Sequence, residues 1–127
     1  MTRSNYPDKS FLHSWSALTI LGWKVIVQKE GWPDIYVNGR CAVQENVSHW
    51  KPTEDYNHCY QVIKAAMEKG IEGEDIVNAF LEMHNLSIKS HPKAVENLWI
   101  PASAEEKLLA VYLAWKKKNE GSGYSAS

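Results

Sequence analysis

The chain has 127 residues, of which 44% are hydrophobic and 23% are charged, and its mean hydropathy is −0.42. These values exclude a disordered chain and a membrane protein, and they suit one folded domain. Fourteen Lys and Arg residues balance fifteen Asp and Glu residues, which gives a net charge of −1. A general nucleic-acid binder gains most of its affinity by neutralising phosphates, so this balance argues against that class.

The sequence also indicates an intracellular protein. No apolar run reaches the roughly 20 residues that span a bilayer, and no apolar stretch follows Arg3 as it would in a signal peptide. We therefore expect a cytoplasmic location. Cys41 and Cys59 are expected to be buried, reduced thiols, because a cytosolic domain of this size needs no disulfide.

The first predicted helix covers residues 9–20, with Asp8 or Ser10 as its cap and Gly22 as its stop. Helical spacing predicts one apolar face on it, formed by Phe11, Leu12, Trp15 and Leu18. Residues 23–28 are β-branched at their centre and alternate in polarity, which predicts a strand. Residues 1–7 are expected to be a flexible arm.

Asn38-Gly39 predicts a hairpin between two short strands at residues 35–37 and 40–43. A two-residue turn at this dipeptide would place Tyr36 opposite Cys41. Together with residues 23–28, these strands are predicted to form an antiparallel meander.

Residues 45–52 read as a polar loop that carries His49 and Trp50. Two interpretations of Trp50 stay open: its ring packs back over the following helix, or it belongs to a recognition surface. Thr53 is predicted to cap that helix, which ends at Gly70. Its apolar stripe comprises Tyr56, Cys59, Tyr60, Ile63, Ala66 and Met67.

Residues 74–83 have helical spacing, although the alternation that follows leaves a strand as the rival interpretation. Residues 89–97 are predicted to be loop and residues 98–100 a short strand. Ser103 and Glu106 form a capping box for a last helix over residues 104–118. The predicted buried face of that helix comprises Leu108, Val111, Tyr112 and Trp115.

These elements predict an α/β (α+β) fold: a small antiparallel sheet with helices packed on its faces, similar to a three-layer sandwich. The whole chain is expected to be one domain. Residues 8–118 would form its folded core, and residues 119–127 a flexible tail.

The sequence shows no recognisable constellation of catalytic, cofactor-binding or metal-binding residues. No two of the five histidines have the i, i+4 spacing of a metal pair, and there is no Cys-x-x-Cys. His58 and Cys59 are neighbours and could suggest a catalytic base and nucleophile. Adjacent helical side chains diverge by roughly 100°, however, so Cys59 is predicted on the apolar stripe and His58 is predicted to point outward. No glycine-rich phosphate loop is present. We therefore predict no catalytic residue, no cofactor and no metal.

Two charged features and one aromatic residue remain as surface candidates. The basic run at residues 116–118 is explained by a favourable position at the end of the last helix. An acidic group could dock against a basic groove of a partner; it comprises Glu68, Glu72, Glu74, Asp75 and Glu82. The predicted partner-binding residues are Trp50, Glu72, Glu74, Asp75 and Glu82.

Three segments carry a family resemblance. They are Leu21-Gly22-Trp23-Lys24-Val25, then Trp50-Lys51-Pro52-Thr53-Glu54-Asp55-Tyr56-Asn57-His58-Cys59 with Val62-Ile63-Lys64, and Lys107-Leu108-Leu109-Ala110-Val111-Tyr112-Leu113-Ala114-Trp115. In this order they resemble the small bacteriophage and prophage proteins that carry the phage ABA sandwich domain, across most of residues 10–117. The resemblance implies a sheet layered between helices. Many members have strands between the second and last helices, where residues 74–83 here have helical spacing.

The family has no established common activity, so the resemblance supplies no functional residues. It implies a small phage accessory protein that acts by binding host proteins or host signalling molecules. We therefore expect a non-enzymatic protein that binds a host protein, with inhibition of a bacterial anti-phage defence system as its natural role. The alternatives are a protein that sequesters a nucleotide-like signal and a small hydrolase. Homo-oligomer formation stays open.

Overall fold

The computed structural model describes residues 6–87, 89, 93 and 95–126. Within these ranges the chain forms a three-stranded antiparallel sheet and four α-helices, which confirms the predicted mixed α+β class. The helices are α1 (Lys9–Trp15), α2 (Tyr56–Glu68), α3 (Gly73–Met83) and α4 (Ala104–Ala126). The strands are β1 (Lys24–Ile26), β2 (Ile35–Val37) and β3 (Val43–Asn46). Short helical turns occupy Ser16–Ile20, Val47–His49 and Val95–Trp99.

The predicted meander is confirmed, with sheet order β1-β2-β3, but the predicted hairpin register is wrong. Tyr36 pairs with Glu45 rather than with Cys41. The connection is longer than two residues because the side-chain oxygen of Asn38 accepts hydrogen bonds from the backbone N–H groups of Arg40 and Ala42. Cys41 takes a left-handed conformation with φ of 61°, so it lies in the turn and not in β3.

The first predicted helix ends as expected near Gly22, which has a φ of +72°. Asp8 caps it by accepting a hydrogen bond from the N–H of Phe11. Its last turn is π-helical, because the N–H of Leu21 reaches back five residues to the carbonyl of Ser16. Of the predicted apolar face, Leu12 and Trp15 are buried. Phe11 and Leu18 are exposed.

The cap of α2 is Asp55 and not Thr53. The Asp55 carboxylate accepts hydrogen bonds from the N–H groups of Asn57 and His58. The buried face of α2 is also narrower than predicted: it comprises Cys59, Val62 and Ala66. Three members of the predicted stripe are exposed instead, namely Tyr56, Tyr60 and Met67.

The helical prediction for residues 74–83 is confirmed by α3, which excludes the strand interpretation. The strand predicted at residues 98–100 is wrong, because Val95–Trp99 form a π-helical turn. The predicted end of the last helix at Lys118 is also wrong, since α4 continues to Ala126 and the amide of Asn119 donates to the carbonyl of Trp115. Part of the loop predicted at residues 89–97 lies outside the described residues, as do 1–5 and 127.

The core lies where α4 packs against α1, α2 and α3. Leu108, Ala110 and Val111 of α4 are fully buried, and Ile76 and Phe80 of α3 pack into the same cluster. None of the helices in the described part of the chain is long and apolar enough to cross a membrane.

Trp50 joins the sheet to the helices. Its ring packs on Trp23, which in turn packs on Tyr36 of β2, with centroid distances of 4.8 and 5.7 Å. Its indole N–H donates to the carbonyl of His13 at 3.1 Å and to the hydroxyl of Ser16 at 3.0 Å. One side chain therefore holds the sheet against the end of α1.

We predict that Trp50→Phe lowers the free energy of unfolding by about 2–3 kcal/mol. The variant removes a buried N–H with two acceptors and leaves a small void. The matched control is Trp32→Phe, since Trp32 is 61% exposed; it should change stability by less than about 0.5 kcal/mol. Urea denaturation measures both. Equal effects of the two substitutions would contradict the role given to the Trp50 N–H.

Candidate functional site

Trp50 is 2% exposed, so its predicted place on a recognition surface is wrong. The alternative interpretation holds, because its ring stacks on His58 of α2 with a centroid distance of 4.6 Å. The polar neighbours of Trp50 in sequence suggested a surface loop. The ring of Trp50 is buried despite these polar neighbours, because its indole N–H donates to acceptors at the C-terminal end of α1 and in the π-helical turn that follows.

His58 does not point outward as predicted, since it lies half-buried beneath Trp50. Its Nδ1 accepts a hydrogen bond from the N–H of Lys51, and its Nε2 lies 3.8 Å from a carboxylate oxygen of Glu45 and 4.0 Å from one of Asp55. The ring therefore ties β3, the segment before α2 and α2 itself together.

The two cysteines are both free, but only Cys59 is buried; the expectation that Cys41 is buried is wrong. The Cys59 thiol lies 3.6 Å from the carbonyl of Ala104, whereas the neighbouring His58 stacks on Trp50. Burial raises the pKa of Cys59 from its ordinary value of 9.0 to about 12, and nearby Lys107 opposes this rise. Cys59 is therefore a thiol at neutral pH and a poor nucleophile.

His13 and Thr53 form a contact that sequence reasoning missed, because 40 residues separate them. The Nε2 of His13 and the hydroxyl oxygen of Thr53 lie 2.7 Å apart. Burial lowers the pKa of His13 below its ordinary value of 6.5, although the carboxylate of Glu54 opposes this. A base beside a hydroxyl resembles a nucleophilic pair, but Thr53 is only 5% exposed. The pair joins α1 to the segment before α2.

The described residues contain no group of three or more His, Cys, Asp or Glu side chains placed to hold a metal ion. The closest arrangement is His58 with Glu45 and Asp55, in which Nε2 is 3.8 Å or more from either carboxylate.

The predicted acidic residues lie on α3 and at its start. Glu72, Glu74 and Asp75 meet at the N-terminus of this helix, where the Asp75 carboxylate accepts a hydrogen bond from the N–H of Glu72. Glu82 lies two turns later and pairs with Lys117 of α4 at 3.3 Å. All four are exposed, and the structure brings the first three together while Glu82 stands apart.

A cleft of about 590 Å³ lies between α3 and α4. Its apolar lining comprises Ala79, Leu81, Leu86 and Ala114, and its charged lining comprises Asp75, Glu82, Lys89, Lys117 and Lys118. Because α4 continues to Ala126, residues 116–118 are not at a helix end, and the dipole explanation for this basic run is wrong. The two carboxylates beside these lysines make the cleft a poor match for a phosphate.

A second group that the sequence did not indicate surrounds Lys107 of α4. Lys107 is 4% exposed, and its Nζ lies 5.5, 5.7 and 5.4 Å from the ring centroids of Tyr56, Tyr60 and Trp99. Nζ also donates to the carbonyl of Ile100 at 3.2 Å. We name the surface formed by Tyr56, Tyr60, Trp99 and Ile100 the aromatic patch.

The aromatic patch has an anchored side and an exposed side. Trp99 is half-buried, with its ring against Phe80 of the core at 5.2 Å, and the Tyr56 hydroxyl donates to the carbonyl of Ala102 at 2.9 Å. Tyr60 and Ile100 are 55% and 63% exposed. The patch therefore presents rigidly supported apolar groups to solvent above a buried cation.

We predict that His13 makes the folded protein less stable as the pH is lowered below about 6.5. Its pKa is lowered in the folded state, so the unfolded chain binds more protons just below pH 6.5, and folding loses free energy as pH drops through this range. His13→Gln should flatten this part of the pH profile of urea denaturation. His49→Gln, at a side chain that is 67% exposed, should retain the slope. An unchanged slope in His13→Gln would contradict the assignment.

We also predict that one of the two thiols reacts in the native protein. Cys41 is exposed, whereas Cys59 is buried with a raised pKa. Titration with a chromogenic disulfide at pH 8 should modify one thiol quickly, and the second only after a denaturant is added. Cys41→Ser should abolish the fast phase. Rapid labelling of Cys59 in that variant would show that its site opens readily.

Comparison with known proteins adds no evidence on function. No protein-family model, no curated protein and no solved structure matches the chain. The likeness to the phage ABA sandwich proteins therefore rests on the sequence motifs alone, and the functional argument rests on the geometry of the described residues.

Proposed function

We propose that this chain is a binding protein with no catalytic role of its own, and that it recognises another protein through the aromatic patch. The observation that carries the proposal is the exposure of Tyr56, Tyr60 and Ile100 around Lys107. Tyr and Trp are enriched at protein interfaces because a ring buries a large area at little entropic cost. Residues that dominate binding energy are also mostly aromatic and well supported from behind.

The biological setting of this proposal comes from the sequence resemblance. A small phage accessory protein would meet host proteins in the bacterial cytoplasm, so we propose a host protein as the partner. Inhibition of a bacterial anti-phage defence system is the outcome we propose for that binding. The acidic residues at the start of α3 remain a second predicted contact, because Glu72, Glu74 and Asp75 are exposed together.

We predict that Tyr60→Ala weakens binding of the partner by about 30-fold, the effect expected of an interface residue worth about 2 kcal/mol. The control is Trp32→Ala, which removes a larger aromatic ring with a similar exposed fraction of 61% from the loop before β2. The natural chain and both variants carry an affinity tag and are used to capture proteins from a bacterial host lysate. Quantitative mass spectrometry then measures the amount of each captured protein.

The proposal requires a partner captured in near-equimolar amount by the natural chain and by Trp32→Ala, and lost with Tyr60→Ala. Far-ultraviolet circular dichroism checks that each variant is folded. Loss with Trp32→Ala alone would move the interface to the loop before β2. A third variant, Glu74→Lys, tests the acidic residues, and loss with it alone would move the interface to α3. The absence of any stoichiometric partner would count against a protein-binding function.

A further inference from the structure

Lys107 is a buried ammonium group that pairs with no carboxylate of the described residues. Among the described residues, no Asp or Glu oxygen lies within 4.0 Å of its Nζ. Glu106, the preceding residue, is engaged with His84 at 3.2 Å and with Ser103. Lysine is rarely buried unless it is paired, because an ammonium loses its hydration on burial.

The contacts that Lys107 does make compensate only in part for this loss of water. One carbonyl, that of Ile100, accepts one of its three N–H donors. The three rings attract the cation through their π faces, and this attraction is strongest when the cation is desolvated. A full counter-charge is still absent among the described residues.

The surrounding backbone also favours an anion at this point. Lys107 is the fourth residue of α4, and its Nζ lies beside Tyr56, the first residue of α2. The N-terminal end of a helix carries a partial positive charge and therefore repels a cation. Lys107 lies near two such ends, those of α2 and α4. The Asp55 carboxylate offsets this charge at α2 through its own hydrogen bonds to the backbone.

We propose that the aromatic patch takes an acidic side chain of the protein partner, with the partner's carboxylate paired to Lys107. This inference rests on the proposed function and names the chemistry of its contact. Tyr60 is the most exposed of the three rings, so we assign the approach from solvent to Nζ to its side of the patch. Tyr56 and Ile100 then surround the ion pair and exclude water from it, which strengthens the attraction.

A protein carboxylate suits this surface better than a phosphate does. A phosphate carries nearly two charges and is usually held by several cations or N–H groups, whereas the patch offers one ammonium within an apolar rim. An acidic residue flanked by apolar side chains matches both parts of the patch. The partner segment is therefore expected to have a Glu or Asp between hydrophobic residues.

The test uses the full chain and two displayed libraries of nine-residue peptides. Both libraries have random flanking positions, and their central residue is Glu in one and Gln in the other. We expect the natural chain to enrich Glu peptides about tenfold over Gln peptides, since a hydrogen bond between two charged groups is stronger than one to a neutral amide. Lys107→Met should remove this preference and Lys107→Arg should retain it.

Equal enrichment of the two libraries on the natural chain would overturn the inference, as would a Glu preference that survives in Lys107→Met. If Lys107→Met does not fold, the natural chain's affinities for one enriched Glu peptide and its Gln twin decide the question. A competition assay adds inorganic phosphate or acetate to the bound Glu peptide, each at 1 mM, which is on the order of a weak site's Kd. Displacement of the peptide by phosphate and not by acetate would show that the site prefers phosphate, and this would contradict the inference.

The experiment separates failure of the inference from failure of the proposed function. If Tyr60→Ala abolishes peptide binding while Glu and Gln peptides bind equally, the patch is an interface but Lys107 does not select an acid. If Tyr60→Ala leaves enrichment unchanged, the peptides bind elsewhere. In that case both the inference and the assignment of the interface to the aromatic patch fail.

Discussion

The buried N–H of Trp50 is the constraint on which the arrangement of this domain depends. A buried donor left without an acceptor is costly, and this one finds the carbonyl of His13 and the hydroxyl of Ser16, where α1 passes into its π-helical turn. The same ring contacts Trp23 on the sheet side and His58 on the α2 side. Sheet, α1 and α2 are thus fixed relative to one another by one side chain.

Hydrophobic periodicity and stop signals predicted the elements well where neighbouring residues alone decide the structure. The π-helical turn and α2 end just before glycines with positive φ, Gly22 and Gly70, and α3 forms over the predicted residues. The hairpin register escaped prediction because the Asn38 side chain draws two later N–H groups into the turn. A side chain's choice of backbone donors cannot be deduced from polarity patterns.

The candidate site was harder to predict because periodicity gives the spacing of a helical face but not its width. Tyr56 and Tyr60 are four residues apart and Cys59 and Val62 are three apart, and both intervals fit one helical face. The two tyrosines nevertheless lie at the edge of the buried face and reach solvent. Trp50 was misjudged in the opposite sense, because its polar neighbours suggested exposure. Lys107 gave no signal, since a lysine before a run of apolar residues is common at a helix surface.

A comparison within α4 explains why Lys107 is unusual. Lys107 and Lys118 are eleven residues apart, about three helical turns, so they lie on the same face of α4. Lys118 reaches the carbonyl of Gly70, just past the C-terminal end of α2, where a cation is favourable. Lys107 reaches the opposite end of α2, where a cation is unfavourable. The carbonyl of Gly70 and the helix end therefore account for Lys118. An added negative charge would complete the environment of Lys107.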